Sequence, residues 1–197
     1  MNRPFSESCL QNSDVILNVI TPYLREAKKV LEIGSGTGQH AAYFAPLFSN
    51  LSWQTSDLSE NLPGIKSWIE STECQNIPEP IELDVNQDWP EISVDLIYTA
   101  NTLHIMDQSS VEKCLTGLSD VLTDNGCLIL YGPFNYNNQY TSDSNRRFDV
   151  WLKQNNPLSG IKDFERISEL LLSSGLSIEA DCEMPANNRI LIFKPEL

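Results

Sequence analysis

Histidine is scarce in this chain of 197 residues: there are two, His40 and His104. The five cysteines (Cys9, Cys74, Cys114, Cys127 and Cys182) are odd in number and form no Cys-x-x-Cys or other ligand-like spacing. A metal site is therefore not expected, and a reduced, cytoplasmic setting fits the cysteine usage best. Cys114 and Cys127 fall on apolar positions of a predicted helix and strand, where packing is the expected role. Positive charge is short too, with 13 Lys and Arg against 27 Asp and Glu, a formal net charge of −14. Phosphate binding needs clustered cations, so the balance argues against nucleic acid or an anionic membrane as partner, while a basic protein partner stays compatible with it. No apolar run is long enough to span a bilayer, and the opening MNRPFSESC carries no apolar leader segment.

What is present is organised around Lys29 to Asp57. Val30-Leu31-Glu32-Ile33 is an apolar run too short for a helix, bounded by glycine, and reads as a buried strand. Gly34, Gly36 and Gly38 alternate after it; Ala41, Ala42, Phe44, Ala45 and Phe48 then follow a helical pattern. A second strand, 51–56, ends at Asp57. Strand, glycine turn, helix, strand, acid is the first half of a nucleotide-binding α/β sheet, with the acid placed to accept hydrogen bonds from a ribose diol. Length and composition fit one domain over 1–197.

The spacing discriminates between cofactors. A dinucleotide loop reads GxGxxG, whereas here the third glycine comes one residue early, at Gly38, and Gln39 occupies the expected place. A pyrophosphate favours nearby cations. Glu32 instead stands two residues before the first glycine, and Lys66 is the sole basic residue between Val30 and Glu112. A carboxylate beside the loop repels phosphate and suits a ligand bearing an ammonium and a sulfonium. The E-x-G-x-G-x-G pattern resembles motif I of the class I S-adenosylmethionine (SAM) methyltransferases. A dinucleotide fold with a variant loop, or a glycine turn that binds nothing, is the competing reading.

Taken in order, the first dozen residues read as polar and irregular, and Ser13 or Asp14 as the cap of a helix running to about Glu26, kinked or split at Pro22. A helix over 62–71 and short strands at 81–83 and 94–100 follow. Asp84 ends the third strand, where an acid can accept from an adenine amine, though aspartate also serves turns. Asn101 and His104 follow the fourth strand, and ligands of open α/β sheets bind at the carboxyl ends of strands. His104 can take a proton from an acceptor hydroxyl or amine; a structural histidine is the alternative. An amphipathic helix carries Val111, Cys114, Leu115, Leu118, Val121 and Leu122, stops at Asn125-Gly126, and yields to a fifth strand, 127–131. Residues 134–160 read as a lid on the substrate side, with Tyr131, Phe134, Tyr136 and Tyr140 available to flank a sulfonium. Asp163 is expected to cap a last helix, and two strands, 176–182 and 189–193, are joined by Met184-Pro185-Ala186-Asn187-Asn188.

VLEIGSGTGQHAAYFA, the N-x-x-HI after strand four, YGPF, YTSDSNRRFD, NP-x-x-GI-x-D and MPANN together resemble the methyltransferase-like protein 26 family (domain of unknown function 938). The resemblance implies a Rossmann-like class I methyltransferase fold: α/β, a seven-stranded mostly parallel sheet with the last strand antiparallel and helices on both faces. It marks Glu32, Gly34, Gly36, Gly38, Asp57, Asp84 and Asn101 as cofactor-side positions, joined by Ser35, Leu58 and Val85 beside them, and SAM as the cofactor. Where relatives carry a charged run before the first helix, this chain has Leu10-Gln11-Asn12-Ser13, leaving Gln11, Asn12 or Arg3 to hold the methionine carboxylate. Catalytic expectations are His104 as base, Asp149 as second choice, and Tyr131 and Tyr140 as orienting groups. The expected activity is methyl transfer to an O or N nucleophile of a small molecule; a protein methyltransferase and a SAM-binding regulator without transfer are the alternatives. The sequence is silent on oligomeric state.

Overall fold

The computed structural model describes residues 3–196. Its strands are β1 (Lys29–Ile33), β2 (Ser52–Asp57), β3 (Ile81–Glu82), β4 (Val94–Ala100), β5 (Leu122–Gly132), β6 (Phe134–Asn135), β7 (Lys162–Asp163), β8 (Leu176–Met184) and β9 (Asn188–Pro195). The helices are α1 (Glu7–Glu26), α2 (Gln39–Phe44), α3 (Leu62–Ile69), α4 (Gln108–Gly117), α5 (Asp143–Asn155) and α6 (Phe164–Ser173). Seven strands form one sheet in the order β3-β2-β1-β4-β5-β9-β8, with β9 antiparallel to both neighbours. A separate two-stranded ladder pairs β6 with β7 in parallel. The strand order reverses between β1 and β4, so the crevice of this sheet opens over their carboxyl ends.

Alternation along the central strands makes two cores. Leu31, Ile33, Leu128, Leu130, Leu191 and Phe193 face one way and pack with Val111, Leu115, Ile167 and Leu171 of α4 and α6. Val30, Ile129, Ile190 and Ile192 face the other way, against Ile16, Ile20 and Leu24 of α1 and Phe44 of α2. A strand buried on both faces needs such near-continuous apolar runs, and β1, β4, β5 and β9 supply them.

Three local expectations are corrected. The first helix begins at Glu7, capped by Ser6, whose hydroxyl accepts from the Cys9 amide at 3.3 Å, and it runs through Pro22 unbroken. The helix expected to stop at Asn125-Gly126 ends at Gly117, where the Trp89 indole occupies the space of a side chain: a Cβ there would lie 2.4 Å from the ring. Leu122 then pairs with Val94, and Asn125-Gly126 sit in the irregularity before Leu96 meets Cys127. Asp163 stands at the N-cap of α6 but its side chain makes no capping bond.

Candidate functional site

A cleft of about 870 Å³ lies over the carboxyl ends of β1, β2 and β4, within the size range of cofactor and ligand pockets. Each glycine of the β1–α2 turn has its own reason to be glycine. All three have left-handed backbones, with φ of 69° at Gly34, 59° at Gly36 and 85° at Gly38. At Gly34 a Cβ would sit 2.5 Å from the Thr102 methyl, so the turn packs against the loop after β4. At Gly38 it would meet the Ile65 backbone at 3.0 Å, so α3 closes on the turn. At Gly36 it would meet nothing within 4 Å. The middle glycine therefore presents bare backbone to the open cleft.

Three acids surround that backbone. Asp57 closes β2 and fixes the turn: Oδ2 accepts from Gly36 N at 2.7 Å, while Oδ1 accepts from Leu58 N and Asn61 Nδ2, both at 2.8 Å. Asp84 accepts from Asn86 N at 2.9 Å and lines the cleft with Val85. Glu32 is 2 % exposed; its Oε2 accepts from Trp53 Nε1 and Ser35 Oγ, each at 3.0 Å. Burial pushes the Glu32 carboxyl up to about 7, against the pull of these two donors. Among the described residues, Glu32, Asp57, Glu60, Asp84 and Asp107 line the cleft, with no lysine or arginine.

The N-terminal arm forms one rim. Pro4 packs on Gly64, and its carbonyl accepts from Trp68 Nε1 at 2.6 Å. The amide of Ser6 donates to Gln39 Oε1, and Gln39 Nε2 returns a bond to the Ser6 carbonyl at 3.2 Å. Ser6, Ser8 and Cys9 thereby line the cleft. Gln39, standing where the dinucleotide fingerprint wants glycine, is the side chain that ties this rim to the β1–α2 turn. The residues expected to hold a methionine carboxylate are engaged elsewhere. Asn12 is buried with Oδ1 2.8 Å from His40 Nε2, Gln11 donates to Glu7, and the Arg3 guanidinium lies 3.6 Å over the Trp68 ring.

Asn101, in the left-handed region at φ 58°, lines the cleft where β4 ends. His104 is buried, its ring edge-on to Phe148 at 5.2 Å, and burial assisted by the Lys162 ammonium pushes it down to about 4. A Cβ built on Gly132, at the end of β5, would lie 3.7 Å from Asn101 Oδ1 and 3.8 Å from His104 Nδ1. The two polar atoms thus converge on one point beside the cleft. The loop carrying His104 is tied down by its carbonyls, His104 O accepting from Gly160 N, Ile105 O from Ser159 Oγ and Met106 O from Lys162 Nζ.

The other catalytic expectations are placed differently. Asp149 is buried on α5, where it accepts from Ile161 N at 2.8 Å, Lys153 Nζ at 2.6 Å and Tyr140 OH at 2.8 Å. That holds α5 to the returning chain and takes Tyr140 with it. Tyr131 is buried on the α1 face of the sheet, its hydroxyl accepting from Asn188 Nδ2 at 3.0 Å. Phe134 is core, and Tyr136 stacks on Phe164 at 5.1 Å. None of these four rings lines the cleft; the ring against His104 is Phe148, on which Trp151 stacks at 5.9 Å.

Residues 3–195 match the family described as protein of unknown function (DUF938). The chain belongs to this family. The DUF938 chain superposes on an O-methyltransferase family protein from Burkholderia thailandensis at TM-score 0.85 and 14% identity, over 96% of this chain and 58% of that one. Mitomycin 7-O-methyltransferase is similar at TM-score 0.80 and 17% identity, over 94% and 54%. Human N-acetylserotonin methyltransferase, solved with SAM, is similar at TM-score 0.79 and 16% identity, over 97% and 53%. The DUF938 chain thus has the class I methyltransferase fold and spans little more than half of each of these proteins. Among the described residues no helix is long and apolar enough to cross a membrane.

Proposed function

We propose that this DUF938 protein is a SAM-dependent methyltransferase acting on a nucleophilic oxygen or nitrogen of a small molecule. The observation that carries the reading is a cleft walled by five carboxylates and no lysine or arginine, floored by the bare backbone at Gly36. Such a cleft disfavours a pyrophosphate and favours a ligand with ammonium and sulfonium charge. The residues fit that ligand in parts. Glu32, with Ser35 holding its carboxylate, faces the charged amino-acid end, and Gly34 and Gly36 let it approach. Asp57 keeps acceptor capacity at Oδ2 for a ribose hydroxyl, since a carboxylate oxygen accepts twice and Gly36 N uses one place. Asp84, Val85 and Leu58, which line the cleft, would hold the adenine. Bound there, SAM would supply an electrophilic methyl group.

The chain's own contribution is position and proton handling. Holding the acceptor in line and excluding water accounts for most of the barrier reduction in such transfers. His104 is neutral at pH 7 because burial disfavours its charged form, so it is available to take a proton, and Asn101 Oδ1 orients the group that gives it up. Asp149, Tyr131 and Tyr140 take no part in this reading, being occupied with the lid and the α1 face. Mass spectrometry of material copurifying with the protein, with titration of SAM and of NAD, tests it. SAM or S-adenosylhomocysteine should copurify or bind at micromolar concentration, and preference for NAD would overturn it.

A further inference from the structure

The helix α5 opens a second feature beside the cleft. Ser144, Phe148, Trp151 and Asn155 recur at the spacing that places side chains on one helical face. Asn187 Nδ2 donates to Ser144 Oγ at one end of that stripe, and the His104 ring meets Phe148 at its middle. Phe148 and Trp151 lie nearly parallel, 13° apart, and Trp151 is 55% exposed. Ile105, 54% exposed, lines the cleft, and Leu158, 68% exposed, neighbours the Ser159 that holds Ile105. A ladder of rings thus runs from the buried imidazole through Phe148 to the exposed Trp151, and Ile105, next in sequence to His104, lines the cleft. Single exposed apolar residues need no explanation, whereas a stacked pair flanked by two more marks a binding surface.

We infer that the methyl acceptor is a planar aromatic ring bearing the nucleophilic hydroxyl, seated on the Phe148–Trp151 shelf with that hydroxyl at His104. This rests on the methyltransferase reading. Offset stacking prefers centroids 4.5–7 Å apart, a spacing the Phe148–Trp151 pair already has and a third ring can extend. Basicity points the same way. His104, held near 4, is a weak base; a phenolic hydroxyl near 10 lies roughly six pKa units above it, an aliphatic alcohol about as far again. In the reaction His104 accepts the hydroxyl proton as the new oxygen–carbon bond forms. The carbon–sulfur bond breaks with its electron pair left on sulfur, and the positive charge ends on the imidazole.

The test uses the full chain saturated with S-adenosylhomocysteine and two probes of one carbon skeleton, 1-naphthol and decahydro-1-naphthol. With two histidines, the His104 ring resonances are assignable by comparison with a His40 variant. 1-Naphthol should shift them and bind at least tenfold tighter than its saturated counterpart. Trp151→Ala should weaken 1-naphthol at least fivefold with S-adenosylhomocysteine affinity unchanged, and Trp151→Phe should restore most of the loss. Equal binding of the two probes, or no His104 shift, overturns the inference while leaving the methyltransferase reading intact. A dimer that forms through Trp151 and shuts out 1-naphthol overturns it equally. Failure to bind S-adenosylhomocysteine at all sinks the underlying reading instead.

Discussion

Glu32→Gln should make the protein more stable and worse at holding SAM. The Glu32 carboxyl rises from 4.5 to about 7 on folding because burial penalises its charge more than Trp53 and Ser35 compensate. Below pH 4.5 the group is protonated folded and unfolded, so it contributes no pH-dependent term. Between 4.5 and 7 the unfolded chain ionises while the folded one keeps its proton, and stability falls as pH rises. Above 7 the loss is complete, at roughly 1.4 kcal/mol per pKa unit, or about 3 kcal/mol in all. Glutamine keeps an oxygen for the Trp53 and Ser35 donors and carries no charge to desolvate. Urea unfolding of the apoprotein at pH 8 should therefore show Glu32→Gln more stable by up to about 3 kcal/mol, roughly 6–12 °C in Tm for a chain of this size. At pH 4 the gain should vanish. The same substitution should cost SAM affinity at pH 8 more than tenfold, because the carboxylate facing the ligand's charge is gone. A variant that is less stable than the parent at pH 8, or whose advantage does not change with pH, would refute the reasoning and show Glu32 to be a solvated, ordinary carboxylate.

The same linkage acts on the ligand: the Kd of the parent for SAM should tighten nearly tenfold per pH unit up to about 7 and then level, whereas a flat calorimetric profile would mean that the cation does not sense Glu32. Gly36→Ala should lose about 1–2 kcal/mol for its left-handed backbone yet lose SAM affinity far more, since its side chain enters the open cleft; equal losses in both would place the ligand elsewhere. Asp149→Asn should destabilise by about 2–3 kcal/mol in thermal melts by breaking a buried three-donor arrangement, with SAM affinity unchanged in the folded fraction. His104→Ala should retain SAM binding and slow methyl transfer on the order of a hundredfold; unchanged turnover would make the histidine structural.

The sheet was legible because its strands are buried on both faces, so β1, β4, β5 and β9 announce themselves as short apolar runs between glycine, proline and asparagine. The glycine turn was legible for a related reason: alternating glycines followed by an acid at the end of the next strand are written locally. What failed were features set by partners distant in sequence. Position 117 is glycine because the Trp89 indole fills the space of a side chain there, and no periodicity within Val111 to Leu122 carries that information. The N-terminal arm looked irregular because its attachments are main-chain carbonyls and amides caught by Trp68 and Gln39, which any sequence could offer.

The lid was misread for a reason that bears on function. Aromatic content suggested a cage for the sulfonium, but a tyrosine follows its hydroxyl as well as its ring. Tyr140 is drawn to Asp149, Tyr136 to Asp181 and Tyr131 to Asn188, each away from the cleft. Phe148 and Trp151 differ. Phe148 has no polar atom to satisfy and meets the His104 ring, and the Trp151 indole N–H, with no hydrogen bond among the described residues, belongs to a ring stacked on Phe148. Trp151 is 55% exposed and stacked on Phe148, so a planar ring can reach its open face. Charge is uneven along the crevice as well: Glu32, Asp57, Glu60 and Asp84 gather on or after β1, β2 and β3, whereas the charge that bears on His104 is the Lys162 ammonium. On the proposed reading, such a cleft would hold the cationic donor on its acidic side and a neutral acceptor beside His104. The methyl group would then cross from the acidic side toward His104, where burial and the Lys162 ammonium oppose the positive charge the imidazole would take up, so the step favours an acceptor that gives up its proton easily.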